Sequence, residues 1–382
     1  MKIDRTTENL REYRRKIALS QAYGTIVMPV METMERTTVV LQKPDGSPVE
    51  SVMRDYGFTN MPDPENTAKT LCASTLLAYS GVRRLVSPTE DALCQKLRDN
   101  MQILYPEQES LDPYYQNIKI PEIARGEFTL GYSEFQAGEY DMSDGPSLED
   151  GAYGHYIPKI GIWNSAFRFP IVMQNKTPWM TVTPNEKNTM HKHIEAAHGH
   201  VLTLGLGLGY FAYMAHRKPD VTAVTIIEID PDIIALFEAH ILPQFDHPEK
   251  IKIVQADAIA YIQNLADGVF DTCFADIWRN GMDVDPYLSV KTAARHLKKT
   301  AMSYWIEDSL LGFMLQHMGI ILLGAMGLPY PNMDRDPLYR FLQKLTSRTR
   351  IKNPDEMRQA FTPQYLSNLI DIRTSVSWQP NI

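Results

Sequence analysis

The sequence predicts an α/β protein built on a doubly wound, mostly parallel sheet, and three observations lead to this prediction. From residue 183 onward, short apolar and β-branched runs alternate with helical patterns, which is typical of parallel strands joined by crossover helices. A glycine-rich turn, GLGLG at residues 205–209, follows the first of these runs. Acidic residues come at the ends of the next three runs, at Glu228, Asp257 and Asp276. Because ligands bind at the carboxyl edge of such sheets, these residues mark a candidate site.

Composition and charge exclude several classes of protein. The chain has 382 residues, of which 44% are hydrophobic and 22% are charged, as expected for a soluble globular protein with two or three packed units. Its net charge of −8 argues against general nucleic-acid binding. The three cysteines are scattered without a CxxC pair, which argues against a disulfide framework and a structural zinc site. We therefore expect no metal and a cytoplasmic location.

Two segments bear on membranes and targeting. The N-terminus is polar and lacks the apolar centre of a secretory signal. The most apolar stretch, residues 319–330, is shorter than the roughly 20 residues that a membrane span needs. No membrane association is expected.

Changes in residue composition and hydrophobic pattern along the chain predict four regions. Residues 1–125 are expected to form a mostly helical N-terminal domain. Residues 126–182, rich in aromatic and β-branched residues, are expected to form a small β-rich segment. Residues 183–310 hold the parallel sheet with its candidate site, and residues 311–382 form a helical C-terminal extension.

Several local features are predicted within these regions. Residues 37–53 contain a Pro-Asp-Gly turn and predict a short hairpin. Residues 87–90 and 183–186 each have the pattern of a capping box at the start of a helix. Residues 141–151, rich in Asp, Ser and Gly, are the best candidate for a mobile acidic loop.

Two clusters of residues favour packing over chemistry. A group of histidines is interpreted as a helix end near the negative pole of the helix, because residues two apart do not share a helix face: these are His191, His193, His198 and His200. A group of aromatic residues is interpreted as the core of the small β unit, with an acceptor pocket as the alternative: these are Tyr153, Tyr156, Trp163, Phe167, Phe169 and Trp179.

The glycine turn has the setting of an anion-binding loop. It lies between a predicted strand at residues 201–204 and a predicted helix at residues 210–216, where glycines let backbone N–H groups approach a ligand at the positive end of the helix. Glycine-rich turns also serve tight packing, so the next strand decides the interpretation. Glu228 lies one helix and one strand beyond the turn, where a carboxylate can accept both hydroxyl protons of a ribose. Asp230 precedes Pro231 and is expected to cap the following helix.

The later acids distinguish two kinds of nucleotide. Asp257 follows the third strand and can accept a hydrogen bond from an adenine amino group, and Asp276 follows the fourth strand. A dinucleotide-binding loop requires a glycine at the sixth position, where this chain has Tyr210. The pattern therefore argues against a dinucleotide, although Asp257 still suits a ligand with an adenine base.

These segments resemble a known family. VLTLGLGLGY, VTIIEID, IVQADA and FDTCFADIW are similar to the nucleotide-binding half of class I S-adenosylmethionine-dependent methyltransferases, which have a Rossmann-like fold. In their motifs they are nearest to the spermidine-synthase-like branch. The resemblance covers about residues 182–308 and implies that S-adenosylmethionine is the cofactor.

The resemblance also implies roles for individual residues. The glycines of the loop would surround the methionine and ribose portion of the cofactor, Glu228 would bind the ribose hydroxyls, and Asp257 with Ala258 would read the adenine. Asp276 would lie near the cofactor amino group or the acceptor, and it is the candidate catalytic residue. The implied cofactor-binding set is Gly205, Leu206, Gly207, Gly209, Glu228, Ile229, Asp257, Ala258 and Asp276. The helix that begins after Thr183 lies over the cofactor in the resembled fold, so Thr183, Glu186 or Thr189 is a candidate contact, with an ordinary capped helix as the alternative.

Two departures from the family limit what the resemblance implies. Thr203 stands where many methyltransferases have an acidic residue, and Arg279 follows Asp276 where polyamine synthases have a second aspartate. Because a cation there would repel a polyamine, the favoured function is methyl transfer to a small-molecule or protein acceptor. An aminopropyltransferase, a non-catalytic module and an NAD-dependent oxidoreductase are the alternatives, and a homodimer remains open.

Overall fold

The computed structural model describes residues 1–36, 63–82, 87–148, 153–373 and 375–378. The hairpin predicted at residues 37–53 lies outside the described residues. The described helices are α1 (Thr7–Arg36), α2 (Pro64–Tyr79), α3 (Pro88–Asp99), α4 (Pro106–Glu109), α5 (Pro113–Asn117), α6 (Pro184–Ala196), α7 (Tyr210–His216), α8 (Pro231–His240), α9 (Ala258–Gln263), α10 (Val284–Ala293), α11 (Glu307–Ala325), α12 (Pro337–Leu345), α13 (Pro354–Ala360) and α14 (Pro363–Ile372). Single 3-10 turns occur at Leu242–Gln244, Pro248–Lys250 and Ala294–His296.

The described strands form four sheets. They are β1 (Lys2–Ile3), β2 (Gln102–Leu104), β3 (Ile123–Arg125), β4 (Phe128–Phe135), β5 (Tyr140–Leu148), β6 (Tyr156–Trp163), β7 (Phe167–Gln174), β8 (Thr177–Thr181), β9 (Gly199–Leu204), β10 (Val221–Glu228), β11 (Ile251–Gln255), β12 (Thr272–Ala275), β13 (Ala301–Tyr304) and β14 (Arg350–Ile351). The chain is therefore a mixed α/β protein, as the alternating patterns predict.

The central sheet has five parallel strands in the order β11-β10-β9-β12-β13. Their carboxyl ends are level, because Leu204 pairs with Ile227 on one side and with Ala275 on the other, and Glu228 pairs with Gln255. Residues 201–204 of β9 are almost completely buried, which explains their continuous apolar run, since a central parallel strand is covered on both faces. The loops that follow these strands meet at one edge of the sheet.

The β-rich part of the chain forms two smaller sheets. One is antiparallel, in the order β3-β4-β7-β8, and the other has the order β2-β6-β5. Trp163, Phe167 and Phe169 are buried there and pack with Leu104 and Phe135. The interpretation of this aromatic group as core is confirmed for these residues.

The prediction of a mobile loop at residues 141–151 is wrong for most of that range. Residues 141–148 belong to β5, which pairs antiparallel with β6. Register shifts on either side of Asp144 let this Asp- and Ser-rich strand pair, as β-bulges do. The carboxylate of Asp144 also accepts a 2.7 Å hydrogen bond from Lys159 Nζ, so its charge is paired within the sheet.

Helix α11 contains most of the apolar stretch at residues 319–330. Among the described helices it alone is long and apolar enough to cross a membrane by length and composition, because the helix begins 12 residues before that stretch. The helix packs against α12 and α14, and buried residues such as Leu310, Met314 and Met318 belong to the same core as the central sheet. These contacts are typical of a core helix in a folded protein.

Residues 2–12 contact residues 350–358. Strand β1 pairs parallel with β14, and Arg350 forms an ion pair of 3.1 Å with Asp4. Arg358 of α13 likewise pairs with Glu12 of α1 at 2.8 Å. The four regions predicted from composition and hydrophobic pattern remain a prediction, but the helical N-terminal and C-terminal regions are in direct contact.

Candidate functional site

The glycine loop between β9 and α7 uses part of its own backbone for hydrogen bonds. Gly205 N–H donates to the carbonyl oxygen of Ile227 at 2.9 Å, and Gly209 N–H donates to that of Leu206 at 2.8 Å. The N–H groups of Gly207 and Leu208 make no hydrogen bond to any described residue. The loop therefore presents two donors beside the start of α7, where the helix dipole favours electron-rich ligand atoms.

Glu228, at the end of β10, is buried and already accepts three hydrogen bonds. Its Oε1 accepts from the N–H groups of Ile229 at 2.7 Å and Asp230 at 2.9 Å, and its Oε2 accepts from Leu206 N–H at 3.2 Å. Burial raises the pKa of Glu228, while these backbone donors lower it. A carboxylate has about four lone-pair positions, so Oε2 retains room for one more donor, such as one hydroxyl.

Asp230 and Asp257 both begin helices. Asp230 Oδ1 accepts from Asp232 N–H at 2.9 Å, which confirms it as the cap of α8. Asp257 Oδ1 accepts from Ala260 N–H at 2.7 Å and caps α9. Asp257 thus has a structural role in addition to the predicted ligand role, and its Oδ2 makes no hydrogen bond to the described residues.

A cavity of about 420 Å³ opens at the carboxyl ends of the strands. This volume falls within the range of small-molecule sites. Eight of the nine predicted cofactor-binding residues line it: Gly205, Leu206, Gly207, Glu228, Ile229, Asp257, Ala258 and Asp276. Gly209 instead lines a smaller cavity of about 30 Å³, which shares Gly205, Leu206 and Gly207 with the larger one. Their roles toward a ligand remain predictions.

Two partly buried carboxyl groups line both cavities. Asp276 follows β12, and Glu186 lies in the first turn of α6. Burial raises the pKa of Asp276 to about 7. Burial also raises the pKa of Glu186 to about 8, with the charge of Asp276 adding to the rise and the Thr181 hydroxyl offsetting part of it.

The capping box predicted at residues 183–186 is not formed. The Thr183 side chain makes no capping hydrogen bond, and Glu186 contributes its carboxyl group to the cavity wall. By contrast, the box at Ser87 and Glu90 is present with both hydrogen bonds. Of the three candidate contacts on this helix, only Glu186 lines the cavity, while the Thr189 hydroxyl accepts from Trp305 Nε1 at 2.9 Å.

Aromatic and sulfur-containing side chains complete the cavity. Trp179, Met180 and Trp305 line it, and only Trp179 was marked by the aromatic pattern as a candidate for an acceptor pocket. Trp305 follows β13, the fifth parallel strand, so its position at a strand end is the sequence signal that could have identified it. Met180 lies against the glycine loop from a separate sheet, and nothing in the local sequence marks it.

Trp278 and Arg279 stand next to Asp276. Trp278 is buried, and its Nε1 donates to the carbonyl oxygen of Trp305 at 3.1 Å. Arg279 is exposed at the cavity wall, and it is not among the groups that shift the pKa of Asp276. Among the described residues, no group of three His, Cys, Asp or Glu side chains is placed to hold a metal ion.

Comparisons with known proteins add little to this site. No protein-family model matches the chain, and no curated protein matches it. Among solved structures, a spermidine synthase from Thermotoga maritima aligns over 41% of this chain and 59% of its own, at 17% identity and a TM-score of 0.29. A probable spermidine synthase from Corynebacterium glutamicum aligns over 39% and 62%, at 15% identity and a TM-score of 0.30. A Trypanosoma brucei PRMT1 enzyme–prozyme complex with AdoHcy aligns over 30% and 36%, at 20% identity and a TM-score of 0.24.

These alignments are partial on both sides. The chain spans less than two thirds of the length of each of these structures. Their TM-scores are too low to support any argument about function, so the chemistry of the site depends on the residues of this chain.

Proposed function

We propose that this protein is an S-adenosylmethionine-dependent methyltransferase that acts on a small-molecule or protein acceptor. One observation supports this most strongly: a single cavity at the carboxyl edge of a parallel sheet is lined by the glycine loop, Glu228, Asp257 and Asp276. Sites for adenosine-containing ligands in open α/β folds lie at this edge. The doubly wound arrangement of helices on both faces of the sheet is part of the proposal.

The residues present fit an adenosyl cofactor. The N–H groups of Gly207 and Leu208, which have no partner among the described residues, and the remaining acceptor position on Glu228 would hold the ribose and methionine portion. Asp257 and Ala258 would hold the adenine, and Ile229, which is 62% exposed, would provide apolar contact for it. The cavity volume of about 420 Å³ is that of a drug-sized ligand.

The protein would contribute alignment and proton transfer to the reaction. The cofactor, when bound, supplies a methyl group, whose bond to sulfur breaks with the electron pair left on sulfur as the acceptor's nucleophilic atom bonds to the carbon. Asp276 lines the cavity beside the glycine loop and would accept the proton that the acceptor loses. Trp179 and Trp305 would exclude water and orient the acceptor.

One observation favours a second candidate, an aminopropyltransferase. Glu186 supplies a second carboxyl group that lines the cavity with Asp276. Polyamine synthases have their second carboxyl group three residues after the first, where this chain has Arg279, so the sequence around Asp276 did not predict a pair. Two carboxyl groups are suited to an amine. This candidate predicts turnover with decarboxylated S-adenosylmethionine that depends on an added amine.

Calorimetric titration tests the proposal. S-adenosylmethionine and S-adenosylhomocysteine are expected to bind, and NAD is not. Glu228→Ala should weaken binding by about 10- to 100-fold, the value of a hydrogen bond to a charged group. Glu228→Gln keeps an acceptor oxygen for the N–H groups of Ile229 and Asp230, and urea unfolding of both variants checks that the loss does not come from misfolding.

Asp230→Asn is the matched control for this titration. Asp230 is two residues from Glu228 but does not line the cavity, and Asn caps a helix as well as Asp does. Binding in this variant should equal that of the wild type. If neither adenosyl compound binds the wild-type protein, or Glu228→Ala binds them unchanged, the proposal is wrong. Cytoplasmic location and a homodimer belong to the same proposal and need separate measurements.

A further inference from the structure

Among the residues that the structure describes, Arg279 alone brings a cationic side chain to the cavity of about 420 Å³. The other charged groups on the cavity wall are carboxyl groups, those of Glu186, Glu228, Asp257 and Asp276. S-adenosylmethionine has a carboxylate of its own, so the proposed ligand would bring a further negative charge to this wall. A cation beside that charge would offset the repulsion.

The guanidinium group of Arg279 is not engaged by the rest of the described chain. The side chain is exposed, and no ion pair or hydrogen bond joins its guanidinium to a described residue. Arg279 uses only its backbone N–H, which donates to Asp283 Oδ2 at 3.3 Å. Asp283 and Asp285 are the acids that follow on the same segment, and neither lines the cavity. The five N–H donors of the guanidinium can therefore serve a ligand.

The backbone that carries Arg279 is held on both sides. Before it, the buried Trp278 donates from Nε1 to the carbonyl oxygen of Trp305 at 3.1 Å. After it, Asp283 N–H donates to the carbonyl oxygen of Asn280 at 3.1 Å and closes a turn. Binding of a ligand would therefore have to order only the side chain of Arg279, which keeps the entropic cost small.

The turn after Arg279 also packs against the start of α11. A Cβ at Gly281 would lie 2.9 Å from the Cβ of Ser309, so the two backbones approach closely there. This contact and the hydrogen bonds of the turn fix where the Arg279 side chain leaves the backbone.

The strand order places Arg279 away from the proposed adenine end of the cavity. Asp257 follows β11 at one edge of the sheet, and Arg279 follows β12, three positions along the order β11-β10-β9-β12. Neighbouring strands are about 4.8 Å apart, so these two strand ends are roughly 14 Å apart. The glycine loop follows β9 and lies between them. A group held by Arg279 therefore lies on the side of the methionine portion and the acceptor.

We infer that Arg279 is a specificity-determining residue that binds a carboxylate in the cavity, either that of the cofactor's methionine portion or one on the acceptor. A guanidinium group suits this role because its two parallel N–H bonds match the two oxygens of a carboxylate. The inference rests on the proposed function, because it takes the cavity to hold an adenosyl ligand. It adds that the site selects for an acid group, and against molecules whose only charged groups are amines.

The first arm of the experiment tests the cofactor carboxylate. S-adenosylmethionine and decarboxylated S-adenosylmethionine are titrated by calorimetry into the wild type, Arg279→Gln and Arg279→Lys. If Arg279 binds this carboxylate, the wild type should prefer S-adenosylmethionine by about 10-fold or more, the value of a hydrogen bond to a charged group. Arg279→Gln should remove the preference, and Arg279→Lys should keep part of it, because lysine retains the charge but not the paired N–H bonds. A preference for S-adenosylmethionine would also contradict the aminopropyltransferase candidate.

The second arm tests a carboxylate on the acceptor. Protein saturated with S-adenosylhomocysteine is titrated with phenylacetate and with phenylacetamide, which have the same ring and nearly the same size but differ in charge. The ring suits the aromatic wall formed by Trp179 and Trp305. If Arg279 binds an acceptor carboxylate, the wild type should prefer phenylacetate, and Arg279→Gln should bind the two compounds equally.

Arg340→Gln is the matched control. Arg340 is an exposed arginine on α12 that does not line the cavity, so this variant should bind every compound as the wild type does. Urea unfolding of the variants at Arg279 should match the wild type, because the side chain has no partner in the described chain to lose.

The outcomes separate the inference from the proposed function. A preference for the acid compound that depends on Arg279, in either arm, supports the inference and identifies the source of the carboxylate. No preference in either arm, or one that Arg279→Gln leaves unchanged, overturns the inference and leaves the proposed function standing. If no adenosyl compound binds the wild type, the proposed function fails, and the inference fails with it.

Discussion

The three glycines of the loop after β9 differ in what a side chain would meet. All three have positive φ angles, of 98° at Gly205, 53° at Gly207 and 73° at Gly209. A Cβ at Gly205 would lie 2.2 Å from the carbonyl oxygen of Asp276, and one at Gly209 would lie 2.3 Å from the ring of Phe237. At Gly207 it would meet only Met180, whose Sδ is 2.3 Å away. Two of the glycines are therefore required for packing, and Gly207 alone meets a flexible side chain at the cavity.

Alanine substitutions should separate these roles. Gly209→Ala is expected to lower the free energy of unfolding by roughly 2–4 kcal/mol, because strain at a positive φ adds to a clash with a buried ring. Gly207→Ala is expected to lower it by about 1–2 kcal/mol, because the backbone strain remains but Met180 can move. Urea unfolding of the ligand-free variants measures both. Equal losses, or a larger loss for Gly207→Ala, would contradict this account of the loop.

The buried carboxyl of Glu186 predicts how stability depends on pH. Its pKa is raised from 4.5 to about 8 in the folded protein, so the folded state binds more protons than the unfolded state between these values. Its contribution to stability therefore falls as the pH rises from the lower value to the higher one. Relative to Glu186→Gln, the ligand-free wild type should lose between about 1 and 4 kcal/mol of stability from about pH 5 to about pH 8, since one pKa unit corresponds to about 1.4 kcal/mol.

Urea unfolding at several pH values tests this prediction. Glu195→Gln, on the exposed side of the same helix, is expected to follow the wild type across the range. Parallel pH curves for the wild type and Glu186→Gln would show that this carboxyl is not held protonated by burial.

At the scale of elements, helix α5 and Asp112, the residue before it, form hydrogen bonds with the glycine loop and the start of α7. The buried Tyr114 hydroxyl donates to the carbonyl oxygen of Leu208 at 2.6 Å. The Tyr210 hydroxyl donates to Asp112 Oδ2 at 2.9 Å, and Lys187 pairs with the same oxygen at 3.3 Å. A segment nearly a hundred residues upstream therefore sets the position of the loop. Tyr210, which occupies the position of the third glycine in a dinucleotide-binding loop, is one of the residues that fix the loop through this hydrogen bond.

Tyr114→Phe tests this coupling. The substitution leaves the buried carbonyl of Leu208 without its donor, which should lower the free energy of unfolding by about 1–3 kcal/mol. It should also weaken binding of S-adenosylhomocysteine, because the loop loses a fixed position. Tyr79→Phe, at a ring that is 65% exposed, is the control and should change neither quantity. A Tyr114→Phe protein with wild-type stability and affinity would show that α5 does not position the loop.

At the scale of the whole molecule, the central sheet depends on segments from both ends of the chain. Tyr114 and Ile118 on one side and Leu310 and Met314 on the other belong to the same core as its strands. Lys187, which is 7% exposed, has both of its ion-pair partners upstream of residue 113. A buried charge that loses its partners destabilises a fold by several kcal/mol.

A fragment of residues 183–310, the region predicted to form the ligand-binding domain, should not fold as it does in the whole chain. It would expose the apolar surface that α5 and α11 cover, and it would leave Lys187 unpaired. We expect no cooperative urea transition and strong binding of a hydrophobic dye, measured beside the full chain as control. A cooperative transition together with the ligand affinity of the full chain would show that this region is an independent domain.

Much of the site follows from patterns that span only a few residues. The glycine turn, the acids after three strands, and the caps at Ser87 and Asp230 were all predictable, and the structure forms each of them. The prediction failed at residues 141–148, where polar residues form a strand because bulges and Lys159 accommodate them. It also failed at Thr183, whose side chain makes no capping hydrogen bond, although Glu186 three residues later is where the pattern placed it.

The sequence by itself determined the parallel sheet, the order of its loops and the acids at its edge. These features depend on strand and helix periodicity, glycine conformation and local hydrogen bonds, which act within one or two turns of chain. The tertiary structure decided that Glu186 lines the same cavity as Asp276, that Met180 and Trp305 also line it, and that the Tyr114 hydroxyl donates to the Leu208 carbonyl. Those contacts join segments up to about a hundred residues apart, and they depend on how whole elements pack, which no local pattern encodes.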